Sequence, residues 1–411
     1  MPAWRRGYDP GLVAKRIEKT KTVSANGAVS FSGFDHREHV LILSSMLELN
    51  TAVPELEQRR ILNLAIFAAG AKGVITADSI LRHAWTLEAK YLRKPRHKYK
   101  LLTDISIARQ VAIPRFTLAG VAIMVNARLN RKTQNHRIES IRNARHSITS
   151  DPPTNYSPVC VSVSARSPSE AAEIALDKLD FLRGIWNLSK NRRESQRTSS
   201  GKRAPVNSIL LGPIHTLHEE DGKPATDSWW YEPSYQGPVQ NFSDSQRIES
   251  MLKYTENFRV LLKKSNYQSD IVTATLRYVR ALDTRDWNDT FLRLWGVLEF
   301  LTATQSDSYK VTIRRAAFMF ADRDYVMQML SHLMNYRNKF VHAGSQSMQI
   351  ESLMYQLKSY VETLLEFHLH NSVGFVSIAD AAEFMDLPSD REEIDERIRK
   401  LHCAKKFVGG T

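Results

Sequence analysis

Two cysteines among 411 residues, Cys160 and Cys403, are too few for a disulfide scaffold or a cysteine-rich zinc cage. They suit a reducing compartment and argue against redox chemistry. Long apolar runs are missing too: those around Ala65 to Ala71 and Leu118 to Val125 fall well short of the roughly 18 residues that a membrane span needs. The start, MPAWRRGYDP, has no apolar stretch behind its arginines and does not read as a secretory signal, so a soluble, cytoplasmic protein without a membrane partner is expected. There is no GxxxxGK[ST] phosphate loop, since Gly201-Lys202 and Gly222-Lys223 lack the spaced glycine and the following hydroxyl, and no GxSxG elbow or HExxH pair. No cofactor and no metal are expected.

What is present is positive charge. Lys and Arg number 57 against 44 Asp and Glu, a net charge of +13 with a pI near 9.6. On a cytosolic chain this suggests a polyanion partner, because cationic side chains facing a phosphate backbone gain from counterion release. A composition of 42% hydrophobic and 25% charged residues is ordinary for a globular chain, and the length suits two domains.

The expected fold class is an α+β amino-terminal region followed by an all-α helical bundle, helical overall. Residues 1–34 mix Gly, Ser, Thr and Lys without periodicity and read as an arm. Residues 35–242 form an α+β region, divisible into a helical part, 35–95, and a mixed part, 96–242; residues 243–411 form the bundle. The spacing predicts helices over 36–49, 54–71 and 77–92, then strands over 100–111 and 119–125. Val159, Val161 and Val163 alternate with small residues in a strand that feeds a helix over 169–188, capped by Ser167 or Ser169. The polar, basic stretch 191–206 reads as a loop, and 207–211 as a short strand stopped by Gly212-Pro213. Beyond 243, helices are expected over 245–264, 269–282, 286–303, 311–320, 322–342, 348–370 and 389–402.

The segment MNYRNKFVHAG, residues 334–344, carries the most chemistry. Arg337 is followed directly by Asn338, and His342 comes five positions after the arginine. The same spacing recurs at Arg131/His136 and Arg397/His402, so spacing alone does not single it out. Met329, Leu333, Phe340 and Val341 give this helix an apolar side, and Ala343-Gly344 supplies its stop. His342 then lies in the last turn, where the negative end of the helix dipole favours imidazolium, as suits a proton-transfer group. Five residues rotate a helix by about 500°, so the two side chains diverge by about 140° and stand about 7.5 Å apart along the axis. Two such helices meeting across a twofold axis would remove that conflict, so a homodimer is expected.

RNKFVHAG resembles the Arg-Asn-x-x-x-His signature of the HEPN superfamily, the higher eukaryotes and prokaryotes nucleotide-binding domain. LRLWGVLEFLT, residues 292–302 with Trp295 and Glu299, followed by that signature and a long helix over 352–370, is similar to the Apea-like HEPN domains of bacterial defence proteins. The resemblance covers about residues 245–400, and the strand-helix segment 159–188 resembles what commonly precedes this domain. It implies a metal-independent ribonuclease site at a homodimer interface, in a toxin or effector of phage defence or abortive infection. Arg337 would bind the scissile phosphate, His342 would act as general acid or base, and Asn338 would orient the histidine or a phosphate oxygen. Glu299 matches the acidic position of the earlier helix and would hold Arg337 by a charge-assisted bond. An enzyme toxic when always on needs a gate, with a phage-derived or nucleotide activator as candidate trigger.

Candidate RNA contacts are Arg192, Arg193, Lys202 and Arg203 in the basic loop, with Lys339 and Tyr336 on the helix; Tyr336 and Trp295 are stacking candidates that also fit a core. Two other readings stay open. One is a non-catalytic HEPN module that binds RNA or nucleotides or serves dimerisation. The other is a metal-dependent nuclease using Glu220, Asp221 and Lys223.

Overall fold

A computed structural model describes residues 2–144, 152–192, 204–235, 237, 239–305, 308–344 and 349–408. The chain begins with β1 (Ala3–Trp4), α1 (Pro10–Lys19), β2 (Lys21–Val23), β3 (Val29–Phe31), α2 (Phe34–Met46), β4 (Leu47–Glu48), α3 (Glu55–Lys72) and α4 (Ala77–Leu92). The expected arm is therefore folded. Asp9 caps α1 by accepting from the Leu12 amide at 3.1 Å, and Pro10 occupies the first turn. Val13, Ala14 and Ile17 pack with Leu43, Leu62 and Ile66 in a core confined to residues 13–91. Only three apolar residues anchor α1, too few to stand out as a period among its charged neighbours.

A six-stranded antiparallel sheet follows, built from β5 (His97–Ile105), β6 (Phe116–Leu118), β7 (Val121–Val125), β8 (Ser157–Ala165), β9 (Ile214–Glu219) and β10 (Trp230–Tyr231) in the order β10-β9-β5-β8-β7-β6. Central β5 sets Leu101 opposite Val161 on one side and Leu217 on the other. Two helices belong to this region: α5 (Arg131–Ala144) and α6 (Pro168–Asn191). Ser167 is the cap of α6, accepting from the Glu170 amide at 3.2 Å. The strand expected over 207–211 does not form. Asn207 instead donates to the Val279 carbonyl and the Asp283 carboxylate, both at 2.7 Å, and pairing resumes as a strand past Gly212-Pro213, in β9. α5 escaped prediction because RKTQNHRIESIRNA carries almost no apolar stripe.

The remaining helices are α7 (Ser245–Lys264), α8 (Gln268–Ala281), α9 (Trp287–Leu301), α10 (Tyr309–Ala317), α11 (Arg323–Ala343), α12 (Ile350–His370), α13 (Ile378–Met385) and α14 (Arg391–Val408). The division expected near 243 does not separate two cores. One hydrophobic cluster runs from Tyr99 to Met385, so the sheet and the bundle share it. The link is α6, whose residues 179–188 are all buried between the two. Gly184 makes the approach to α8 possible: a Cβ there would lie 2.8 Å from Thr275 Cγ2 and 3.3 Å from the Thr275 carbonyl oxygen. Beside it, fully buried Arg183 forks onto both oxygens of Asp283 at 2.7 and 2.8 Å and reaches Asp180 at 2.7 Å. Such a pair ties helices together through geometry, since desolvation consumes much of its Coulombic gain.

The chain is thus predominantly helical with a small antiparallel sheet, and among the described residues no helix is long and apolar enough to cross a membrane.

Candidate functional site

The candidate site is a corner formed by α9, the start of α10 and the last turns of α11. Asp286 caps α9 by accepting from the Asn288 and Asp289 amides at 2.8 and 3.1 Å, and Phe291, Leu294, Trp295 and Leu298 turn its apolar face inward. Trp295 is only 1% exposed, a core residue rather than a stacking platform. Its indole donates to Glu299 Oε1 at 2.8 Å. Burial raises the Glu299 carboxyl above the ordinary range, opposed in part by that indole bond and by the charge of Arg337. The expected charge-assisted bond from Arg337 to Glu299 is not the contact made. Glu299 bonds the indole, and Arg337 acts on it through space.

Ser308 caps α10 and places Tyr309 in its first turn. The connection from α9 is fixed by hydroxyl contacts from Thr302 to Thr304 at 2.9 Å and from Thr304 to Thr312 at 2.7 Å, with Ala303 in the left-handed region at φ 52°. The Tyr309 ring meets Trp295 edge-on, 6.2 Å between centroids. Over it sits Arg337, with its guanidinium carbon 4.8 Å from the ring centroid.

On α11, Val326, Leu330, Leu333 and Tyr336 face the core at three- and four-residue spacing. Tyr336 donates its hydroxyl to Asn288 Oδ1 at 2.5 Å and packs edge-on against Phe291, so a base has no face of it to stack on. Val341, expected on the apolar side, is 47% exposed. Arg337 and Asn338 are half-buried, and Arg337 Nη1 donates to Asn338 Oδ1 at 3.3 Å. Lys339 and His342 are exposed. Gly344 ends the helix as expected, left-handed at φ 62° with its amide on the Phe340 carbonyl at 2.9 Å. Because α11 continues to Ala343, it does not unwind between Arg337 and His342, and the two side chains leave one helix in different directions.

The other candidates fall elsewhere. Arg192 donates to Glu366 at 2.7 Å and lies over the Tyr254 ring, so its charge is already matched. Arg193, Lys202 and Arg203 lie outside the described residues. Glu220 pairs with Lys98 at 3.2 Å, and Asp221 with Lys223 and Lys132 at 3.5 and 3.7 Å. Among the described residues, no group of three or more His, Cys, Asp or Glu is arranged to hold a metal ion. The sequence does not single out Tyr309, because its contact with Arg337 joins separate helices and no local spacing reveals it. No protein-family model matches this chain, and neither does any curated protein or solved structure.

Proposed function

We propose that the chain is a metal-independent endoribonuclease of HEPN type that acts as a homodimer, an effector in phage defence. The observation that carries this reading is Arg337, a half-buried guanidinium held by a ring and an amide rather than neutralised in a close ion pair, with His342 exposed farther along the same helix. An arginine so held keeps donors for a phosphodiester, and its planar fork matches two phosphate oxygens. RNA supplies the nucleophile. The 2′-hydroxyl loses its proton to a base and attacks phosphorus, the bond to the 5′-oxygen breaks, and an acid protonates that leaving oxygen. The products are a 2′,3′-cyclic phosphate and a 5′-hydroxyl, and the reaction needs no external metal. Arg337 stabilises charge on the non-bridging oxygens, and His342 moves a proton. The divergence of the two side chains is met by a second protomer whose α11 faces the first.

Purified protein incubated with total RNA and EDTA tests this reading. Cleavage by the wild type, lost in His342→Ala, supports it; equal cleavage by both sets the site aside. A second reading, a module that binds RNA without cutting it, is favoured by the same divergence. Retained RNA binding with no cleavage by the wild type, even in cells expressing it, would support that reading.

A further inference from the structure

A cleft of about 1320 Å³ lies away from α9–α11, between α5 and the turns that follow β5 and β7. Among the described residues, four arginines line it, Arg109, Arg128, Arg137 and Arg142, against a single carboxylate, Asp104. That carboxylate is already matched, for Arg137 donates to its two oxygens at 2.5 and 3.5 Å. Asp104 therefore orients Arg137 rather than neutralising the cleft.

Two buried polar atoms at this wall have no hydrogen-bond partner among the described residues: Arg137 Nε and Asn126 Oδ1. Arg137 is only 9% exposed. A charged donor and an amide oxygen left dry and unpaired lose their hydration without replacement, so such groups call for a polar partner. Asn126 is also left-handed at φ 57°, with its Nδ2 donating to the Val111 carbonyl at 2.8 Å, which ties the two turns together at the cleft. Arg109 is held by its Nε on the Tyr156 carbonyl at 3.0 Å, which leaves the outer nitrogens of its fork available. Beside the arginines the wall mixes polar Gln110, Gln134 and Thr154 with an apolar strip that includes Leu129, Ile138 and Ile141. Ile138 is 55% exposed on α5.

We infer that this cleft binds nucleotides, with phosphate groups on the arginines and a base against the Ile138 and Ile141 side of α5. Several cationic forks beside an apolar wall match an anion joined to a flat, weakly polar ring. An inorganic anion alone would leave that wall exposed. The volume exceeds what one mononucleotide fills, so the nucleotide unit comes either free or as part of a short single strand. The site is independent of the ribonuclease reading of α11.

The test is calorimetric titration of the full chain with ADP, adenosine and hexauridylate. Arg128 and Arg142 are exposed, so Arg128→Glu/Arg142→Glu keeps the fold, which an unchanged melting midpoint verifies. Saturable binding of ADP or hexauridylate, weakened at least about tenfold in the double variant, supports the site, and ADP binding is unchanged in Arg337→Ala. Tighter hexauridylate than ADP identifies the strand as the source, and the reverse identifies the free nucleotide. Adenosine should bind at least about tenfold more weakly than ADP. Absence of saturable binding by both phosphorylated probes, or full affinity in the double variant, overturns the inference.

Discussion

Arg337 carries its guanidinium 4.8 Å above the ring of Tyr309, a contact between the start of α10 and the end of α11. Its predicted consequence is a positioning role for Tyr309. A half-exposed cation–π contact is worth about 0.5–1 kcal/mol, so Tyr309→Ala should lower kcat/KM for RNA by about two- to fivefold. Tyr309→Phe keeps the ring and should restore most of it. Equal losses in both variants would assign the effect to the hydroxyl instead.

Arg183 and Asp283 form a fork that is closed to solvent where α6 meets the end of α8. Asp283→Ala leaves the guanidinium with Asp180 as its one close carboxylate beside the Ile209 carbonyl, and strips Asn207 of an acceptor, so the expected loss is about 3–5 kcal/mol in urea unfolding. A loss below about 1 kcal/mol would mean that the joint relaxes and takes in water.

Stability should also fall in acid through buried histidines. His215 is buried, contacts Thr103 Oγ1 through Nδ1 at 2.7 Å, and has its pKa lowered to about 3, first by burial and then by the charges of Arg280, Arg137 and Arg183. The unfolded chain binds a proton there near 6.5 and the folded chain does not. The contribution is therefore complete above about pH 6.5 and drains away as pH falls toward 3, at up to about 1.4 kcal/mol per pH unit for one group. His218 and His368, each lowered to about 4, act in the same direction. Denaturant titrations at pH 7 and pH 5 check this: His215→Gln should lose less stability between them than the wild type, and an identical loss would remove His215 as a cause.

Much of the helical half was legible from periodicity, because its helices bury stripes that repeat. α7 runs from Ser245 to Lys264 as the spacing predicts, and α4 from Ala77 to Leu92. Elements stabilised by other means were not legible. α1 rests on a cap and three apolar residues, α5 on the ion pair of Arg137 with Asp104, and the 207–211 segment on side-chain bonds that replace a ladder. At the site, local sequence named Arg337, Asn338 and His342 and the resemblance added Glu299; the fold brings Arg337, Asn338 and Glu299 to one corner and leaves His342 exposed farther along α11. The Trp295–Glu299 bond joins residues one turn apart on α9 and is within reach of local spacing, whereas local sequence could not show that Tyr309 holds the arginine, since that depends on how α10 meets α11. The joining of sheet and bundle through α6 was hidden for the same reason.

Mixing two inactive variants addresses the shared site most directly. Arg337→Ala and His342→Ala each lack one half of the pair, and exchange of subunits creates dimers in which an intact arginine faces an intact histidine from the other chain. If the two residues work across a twofold axis, an equimolar mixture should regain about a quarter of wild-type cleavage, because half the dimers are mixed and each has one whole site. A mixture as inactive as its two components, with subunit exchange demonstrated by mass, would contradict a site completed by the second protomer.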